Sequence, residues 1–246
     1  MDGITGDTYL DPVEAKLRNS QFTTRGSVIN LKGRGHTIEL DVDVPQGRIE
    51  DFLELVVQTE PPVMSGLVST KTRLHIRPGK ERVVEKLSLK GNFTLREIHF
   101  TNPSVQDKVD MMSLRAQGKP KEARPGAKDV SSRMDGTFLL SAGTLQFGNL
   151  DYVLPGAQVN LEGIYSLDGQ QFDFHGKVRT DVSLSQMVDS KFLSFLLRAA
   201  SPFFSKKGGG AEIPVRISGT KSEPKFGLDV LKGHSHGGEA GDGRKR

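Results

Sequence analysis

Period-two alternation of apolar and polar residues constrains this chain more than any other feature. Ile38, Leu40, Val42 and Val44 share one parity, while Glu39, Asp41 and Asp43 hold the other. Val68, Thr70, Thr72, Leu74 and Ile76 repeat the pattern, as do Leu87, Leu89, Phe93 and Leu95. Farther along, Val159, Leu161, Tyr165 and Leu167 face away from Asn160, Glu162 and Ser166. Phe172, Phe174, Val178 and Val182 likewise oppose Asp173, His175, Lys177, Arg179 and Asp181. Successive strand side chains point to opposite faces, so these runs predict antiparallel strands with one buried and one wet face. Pro155-Gly156 suits a type II turn and Asp168-Gly169 a tight hairpin. The prediction is a mainly β fold: a curved antiparallel meander with two or three short amphipathic helices.

Three segments break the alternation. From Arg48 to Val57, Ile49, Phe52, Leu53 and Val56 recur at helical spacing, and Pro61-Pro62 acts as a stop. Asn102 is placed to cap a second helix with Pro103 at its first position, and Gly118 ends it. Ser183 and Gln186 form a capping box for a third, whose apolar face carries Leu184, Val188, Phe192, Phe195 and Ala199 until Pro202. An amphipathic helix is therefore expected over about 183–204, ahead of the last strands at Ile213–Ile217 and Pro224–Val230. One β-rich domain spanning 1–231 is expected. A Pro-, Gly- and Lys-rich stretch near 118–132 reads as a mobile loop, and 232–246 as a disordered Gly/His/basic tail.

Chemistry-bearing motifs do not appear. The chain has no Cys, which excludes disulfides, thiolate metal sites and Cys nucleophiles. His36, His75, His99, His175, His234 and His236 form no HExxH pattern, and neither a Gly-x-Ser-x-Gly elbow nor a P-loop is present. His75 and His175 belong on the wet faces of their strands. No catalytic residue, metal site or cofactor is expected, and the chain does not read as an enzyme. With no Trp and 7% aromatic residues, base-stacking platforms are few, so no nucleic-acid partner is expected. Basic residues gather at 119–128, 206–207 and 244–246, which are solvated loops and tail or a draw for anionic headgroups. No signal sequence opens the chain, and no run approaches the roughly 18 apolar residues of a spanning helix.

An apolar sheet face has to be covered by something. The helices and the sheet folding on itself could do so, or the face could stay open as a trough for acyl chains. Alternation fits both.

The order of motifs adds a resemblance. Gly136 to Phe147, Tyr152 to Tyr165, Phe174 to Val178 and Leu184 to Met187 resemble the C-terminal region of the AsmA family. So do Ser201 to Phe204, Ile213 to Thr220 and Pro224 to Asp229, with Gly47 to Asp51, Gly91 to Phe93, Phe100-Thr101 and Val105-Gln106 upstream. Together they span most of 25–231. The resemblance implies a non-enzymatic protein of the Gram-negative-type cell envelope, periplasmic and associated with the inner membrane. It also implies similarity to bridge-like lipid-transfer proteins, with a taco-like β-groove for phospholipid and a role in outer-membrane biogenesis. The partners implied are phospholipid or a membrane surface and other envelope proteins. On this reading Leu145, Phe147, Tyr165, Phe172, Phe174, Val178, Ile213, Val215 and Ile217 line the groove. Leu184, Val188, Phe192, Phe195, Leu196, Phe203 and Phe204 form a helix that plugs its end or lies in a membrane interface. The alternative is a structural or interaction module with a closed core. Typical members are longer and carry an N-terminal anchor, so this chain is expected to be a fragment or a split product.

Overall fold

The structure, a computed structural model, describes residues 5–56, 61–126, 130–187 and 210–229. Eleven strands form one open antiparallel sheet: β1 (Thr8–Leu17), β2 (Ser20–Leu31), β3 (Gly35–Arg48), β4 (Met64–Ile76), β5 (Leu87–Phe100), β6 (Arg133–Ser141), β7 (Thr144–Leu154), β8 (Ala157–Ser166), β9 (Phe172–Thr180), β10 (Glu212–Gly219) and β11 (Pro224–Leu228). Their order in the sheet is their order in the chain. The helices are α1 (Ile49–Val56), α2 (Val83–Lys86), α3 (Pro103–Ala116) and α4 (Leu184–Met187). None among the described residues is long and apolar enough to cross a membrane.

The expected meander is present, and the register carries one face across it. Leu40, Leu74, Leu89, Leu140, Leu145, Tyr165 and Phe172 stand side by side in a single cross-strand row. A parallel row runs Val68, Leu95, Met134, Tyr152, Val159, Val178 and Ile213. Bulges keep the rows aligned. In β7 an extra residue at Gly148-Asn149 shifts the register, so Phe147 and Leu150 both face inward despite opposite parity.

Adjacent strands rotate by roughly 20–25°, so the six steps from β4 to β10 accumulate about 120–150°. That rotation gives the long open sheet a strong twist. The β10–β11 turn swings back until Lys221 Nζ donates to the Pro61 carbonyl at 2.7 Å. Lys108 on α3 sits over the Phe226 ring of β11, 4.3 Å from its centroid.

Helices close part of the inner face. Asn102 caps α3 by accepting from Ser104 N, as the sequence predicts. The helix buries Val109, Leu114 and Ala116 and touches β5, β8 and α4. Polar side chains stitch it down. Gln106 accepts from Phe100 N and donates to Asp110, which also accepts from Val130 N. Ser113 donates to the Pro155 carbonyl at 2.8 Å. In α1, buried Asp51 accepts from Ser20 Oγ and Asn19 N, tying the helix to the β1–β2 turn.

Three expectations are refined. β1 and β2 lie ahead of the first alternation recognised in the sequence. The stretch near 118–132 is anchored where it is described: Val130 and Ser132 are buried, Gly126 N donates to Asp107, and Ile98 N donates to the Ser132 carbonyl. The expected helix over 183–204 is described only through α4, where Ser183 N donates to Gln186 Oε1 as in a capping box. Residues 188–204, and the tail at 232–246, lie outside the described residues.

Candidate functional site: the inner sheet face

All nine residues expected to line a groove fall on the inner face. Leu145, Tyr165 and Phe172 share one row, Phe147, Phe174 and Ile217 the next. Val215 stands opposite Gly176, and Val178 is paired with Ile213. Their exposure divides them. Val178 and Phe172 are buried at 4% and 9%, whereas the other seven are half-buried.

The division follows the cover. At one end α3 and α4 lie over β5 to β10, and Val159, Val178, Leu154, Ala157 and Tyr152 join the main core with Val109 and Ala116. Met187 of α4 is buried in the same core. At the other end Leu140 and Leu167 form a second, smaller core packed by Leu53 of α1 and Val84 of α2. Between the two lies a strip of phenylalanines whose rings stay half-exposed.

That strip is built from alternating large and absent side chains. Phe93 stands opposite Gly136, Phe138 opposite Gly91, and Phe147 and Phe174 on either side of Gly163. A Cβ at Gly136 would lie 3.1 Å from the Phe93 ring, and one at Gly163 only 2.1 Å from the Asp173 carbonyl. The missing side chains let each ring lie down on the neighbouring strand. Phe147 meets Phe93 edge-on at 6.1 Å and Phe174 at a tilt of 44° at 5.8 Å, and Tyr165 stacks on Phe172 at 6.3 Å. Such pairs add about 0.5–1.5 kcal/mol beyond area burial. Phe93 and Phe138 belong to the strip although the sequence reading did not name them among the site residues. The cross-strand Phe–Gly pairing is the signal that identifies them.

Hydroxyls on the inner face are mostly satisfied internally. Thr24 donates to the Asp41 carbonyl, Thr70 to the Asn92 carbonyl, and Thr72 shares a hydrogen bond with Thr70. Tyr152 donates to Ser132 at 2.8 Å, and burial pushes its phenol up to about 12. Tyr165 differs: its hydroxyl is buried and has no hydrogen-bond partner among the described residues. Burial, then the nearby Asp168 charge, raises its pKa as well.

The outer face is polar and largely self-neutralised. Asp41 pairs with Arg73 at 3.0 Å and Asp43 with Lys71 at 3.5 Å. His175 reaches Glu162 at 3.0 Å, so His75 and His175 both stand exposed on this side, as expected. Hydrogen bonds from Arg133 and Arg216 hold Asp135 and Asp173 below the usual carboxylate range, and Lys177 followed by Arg179 does so for Glu212. A wide open trough of about 1370 Å³ runs over this outer face from Thr23 to His175. Of the nine expected groove residues, only Phe147 borders it. No group of three or more His, Asp or Glu among the described residues is placed to hold a metal ion.

The site and fold together define an open, curved antiparallel meander whose inner face is largely apolar from β5 to β10. No family model, no curated protein and no solved structure matches the chain. The face therefore has to be interpreted from its own chemistry.

Proposed function

We propose that this chain is a non-enzymatic lipid-handling module of the AsmA type, which holds the acyl chains of a phospholipid along the inner face of its curled sheet. The observation that carries the reading is the half-exposed strip of Phe93, Phe138, Phe147 and Phe174. It lies between two helix-covered cores, on the apolar face of a sheet whose other face is polar and ion-paired. Contiguous apolar surface of this kind is rare on soluble proteins unless it binds something. A place in the cell envelope, on or near the inner membrane, and a contribution to outer-membrane biogenesis follow from the family resemblance and belong to the same proposal.

Expression in a Gram-negative host followed by native mass spectrometry tests it. Phospholipid should copurify, and Phe147→Glu and Phe174→Glu should lower the bound fraction while circular dichroism stays unchanged. Absence of copurifying lipid, together with unaltered uptake of a fluorescent phospholipid by folded Phe174→Glu, would sink the proposal.

A second reading has its own support. Val178 and Phe172 are buried, and the widest trough described lies on the opposite face. These favour a structural or interaction module whose inner face is a closed core. That reading predicts no lipid exchange between vesicles and unfolding of Phe174→Glu.

A further inference from the structure

We infer that the Tyr165 hydroxyl donates a hydrogen bond to an ester carbonyl of the bound lipid, so that the inner face selects glycerolipids with ester-linked chains over their ether-linked counterparts. The inference rests on the lipid-holding reading above and adds the linkage chemistry that reading leaves open.

The argument begins from an imbalance. Thr24, Thr70, Thr72, Tyr152 and Thr180 all project from the inner side of the sheet, and each has a hydrogen-bond partner within the protein. Tyr165 projects from the same side, yet its hydroxyl is buried with no partner among the described residues. A buried donor left unmade is a standing cost that phenylalanine at the same position would avoid. The position otherwise suits phenylalanine: the ring stacks on Phe172 at an interplanar angle of 10° and packs against Leu140, Leu145 and Leu167. The hydroxyl has no exposed surface although the residue as a whole is only partly buried, so an acceptor from outside reaches it when the side chains over it part.

The surroundings also select the acceptor. Tyr165 packs on the small core of Leu140 and Leu167, with Leu145 and Phe172 beside it on the neighbouring strands, and these side chains are all hydrocarbon. A carboxylate would lose its hydration there without a counter-charge, and the nearest charge acting on Tyr165 is the negative one of Asp168. An uncharged carbonyl attached to a hydrocarbon chain meets neither penalty. Free fatty acid is thereby disfavoured, and an acyl ester fits. An ether-linked chain keeps the alkoxy oxygen but lacks the carbonyl oxygen, so the ester–ether pair isolates this one hydrogen bond.

The test uses the full chain with two phosphatidylcholines that differ only in linkage, dihexadecanoyl and di-O-hexadecyl, each displacing a fluorescent lipid. The native protein should bind the diester about five- to tenfold more tightly, the worth of one hydrogen bond. Tyr165→Phe should bind both equally and melt no lower than the native protein. Equal affinities in the native protein would overturn the inference, and that is the result expected if a water satisfies the hydroxyl. Persistence of the ester preference in Tyr165→Phe would overturn it too. Failure to bind either lipid would bring down the lipid-holding reading and this inference with it, whereas equal binding of both would remove only the role of Tyr165.

Discussion

The two ends of the Val178 strand experience different surroundings although they obey one alternation. Val178 lies beneath α3 and α4 and is 4% exposed, while Phe174, two inward positions earlier on β9, is only half-buried. Strand periodicity assigns both to the same face and says nothing about cover. Cover is supplied by elements inserted between strands, α3 between β5 and β6 and α4 between β9 and β10. Burial depends on which rows those insertions reach.

The sharpest way to break the contrast is a charge at each position. Val178→Glu places a carboxylate in the main core without a partner and should cost about 4 kcal/mol or more, enough to unfold a marginal domain. Loss of cooperative thermal unfolding would show it. Retention of a folded Val178→Glu protein would mean that the helix-covered end is looser than its packing implies.

Tyr152, at the covered end, allows a test by alkali. Its pKa is raised to about 12 by burial, against about 10 in the unfolded chain, so folding favours the protonated phenol. Stability is full below pH 10 and should fall by about 2–3 kcal/mol as the unfolded state ionises between pH 10 and 12. Tyr152→Phe should remove that alkaline loss, as read from denaturant midpoints across the range. An unchanged pH profile would argue against a sealed core there.

Phe174→Glu should be milder, at about 1–2 kcal/mol, because the new carboxylate can reach water from a half-exposed position. A protein that stays folded and takes up less lipid would sharpen the difference between strip and core. Unfolding as severe as that of Val178→Glu would erase it.

The smallest effect belongs to the outer face. Asp135, Asp173 and Glu212 all titrate below their unfolded values because Arg133, Arg216 and Lys177 donate to them. Their pairs therefore add stability above about pH 4 and lose it as the pH falls through the folded values. Since they are largely solvated, the melting temperature should drift down only slightly on acidification, and added salt should flatten the drift.

β3, β4, β5, β8 and β9 were legible because they alternate cleanly, and Pro155-Gly156 and Asp168-Gly169 mark the turns on either side of β8. α1 and α3 were readable from helical spacing and from the Asn102-Pro103 cap. β1 was hidden for a physical reason. Asp11-Pro12 interrupts it, and the register shift between Leu10 and Val13 breaks the parity that would have revealed it. β2 hides behind Thr23, Thr24, Arg25 and Gly26, whose inward positions carry little hydrophobic signal. α2 spans four residues, less than two turns, and has no periodicity to read. The curved meander was expected and is present, but the extent of its curvature was not legible. It arises from twist summed over many strands and from glycines that let chains approach, neither of which parity records. The partition of the inner face into core and strip follows from that curvature, so the nine expected residues could be assigned to one face but not ranked by exposure.

Strand order carries one more consequence, for how the molecule is made. Every strand hydrogen-bonds to the one synthesised just before it, so no part of the sheet waits for a partner at the far end of the chain. Short-range pairing of this kind lowers the entropy of each closure and favours growth by addition, one strand at a time, from the first hairpin onward. The helices α3 and α4 then arrive on a sheet edge that already exists. The newest strand is at every stage an exposed edge, and the Asp-Pro break in β1 and the Pro224 start of β11 make both edges of the described sheet poor templates for a stranger's strand.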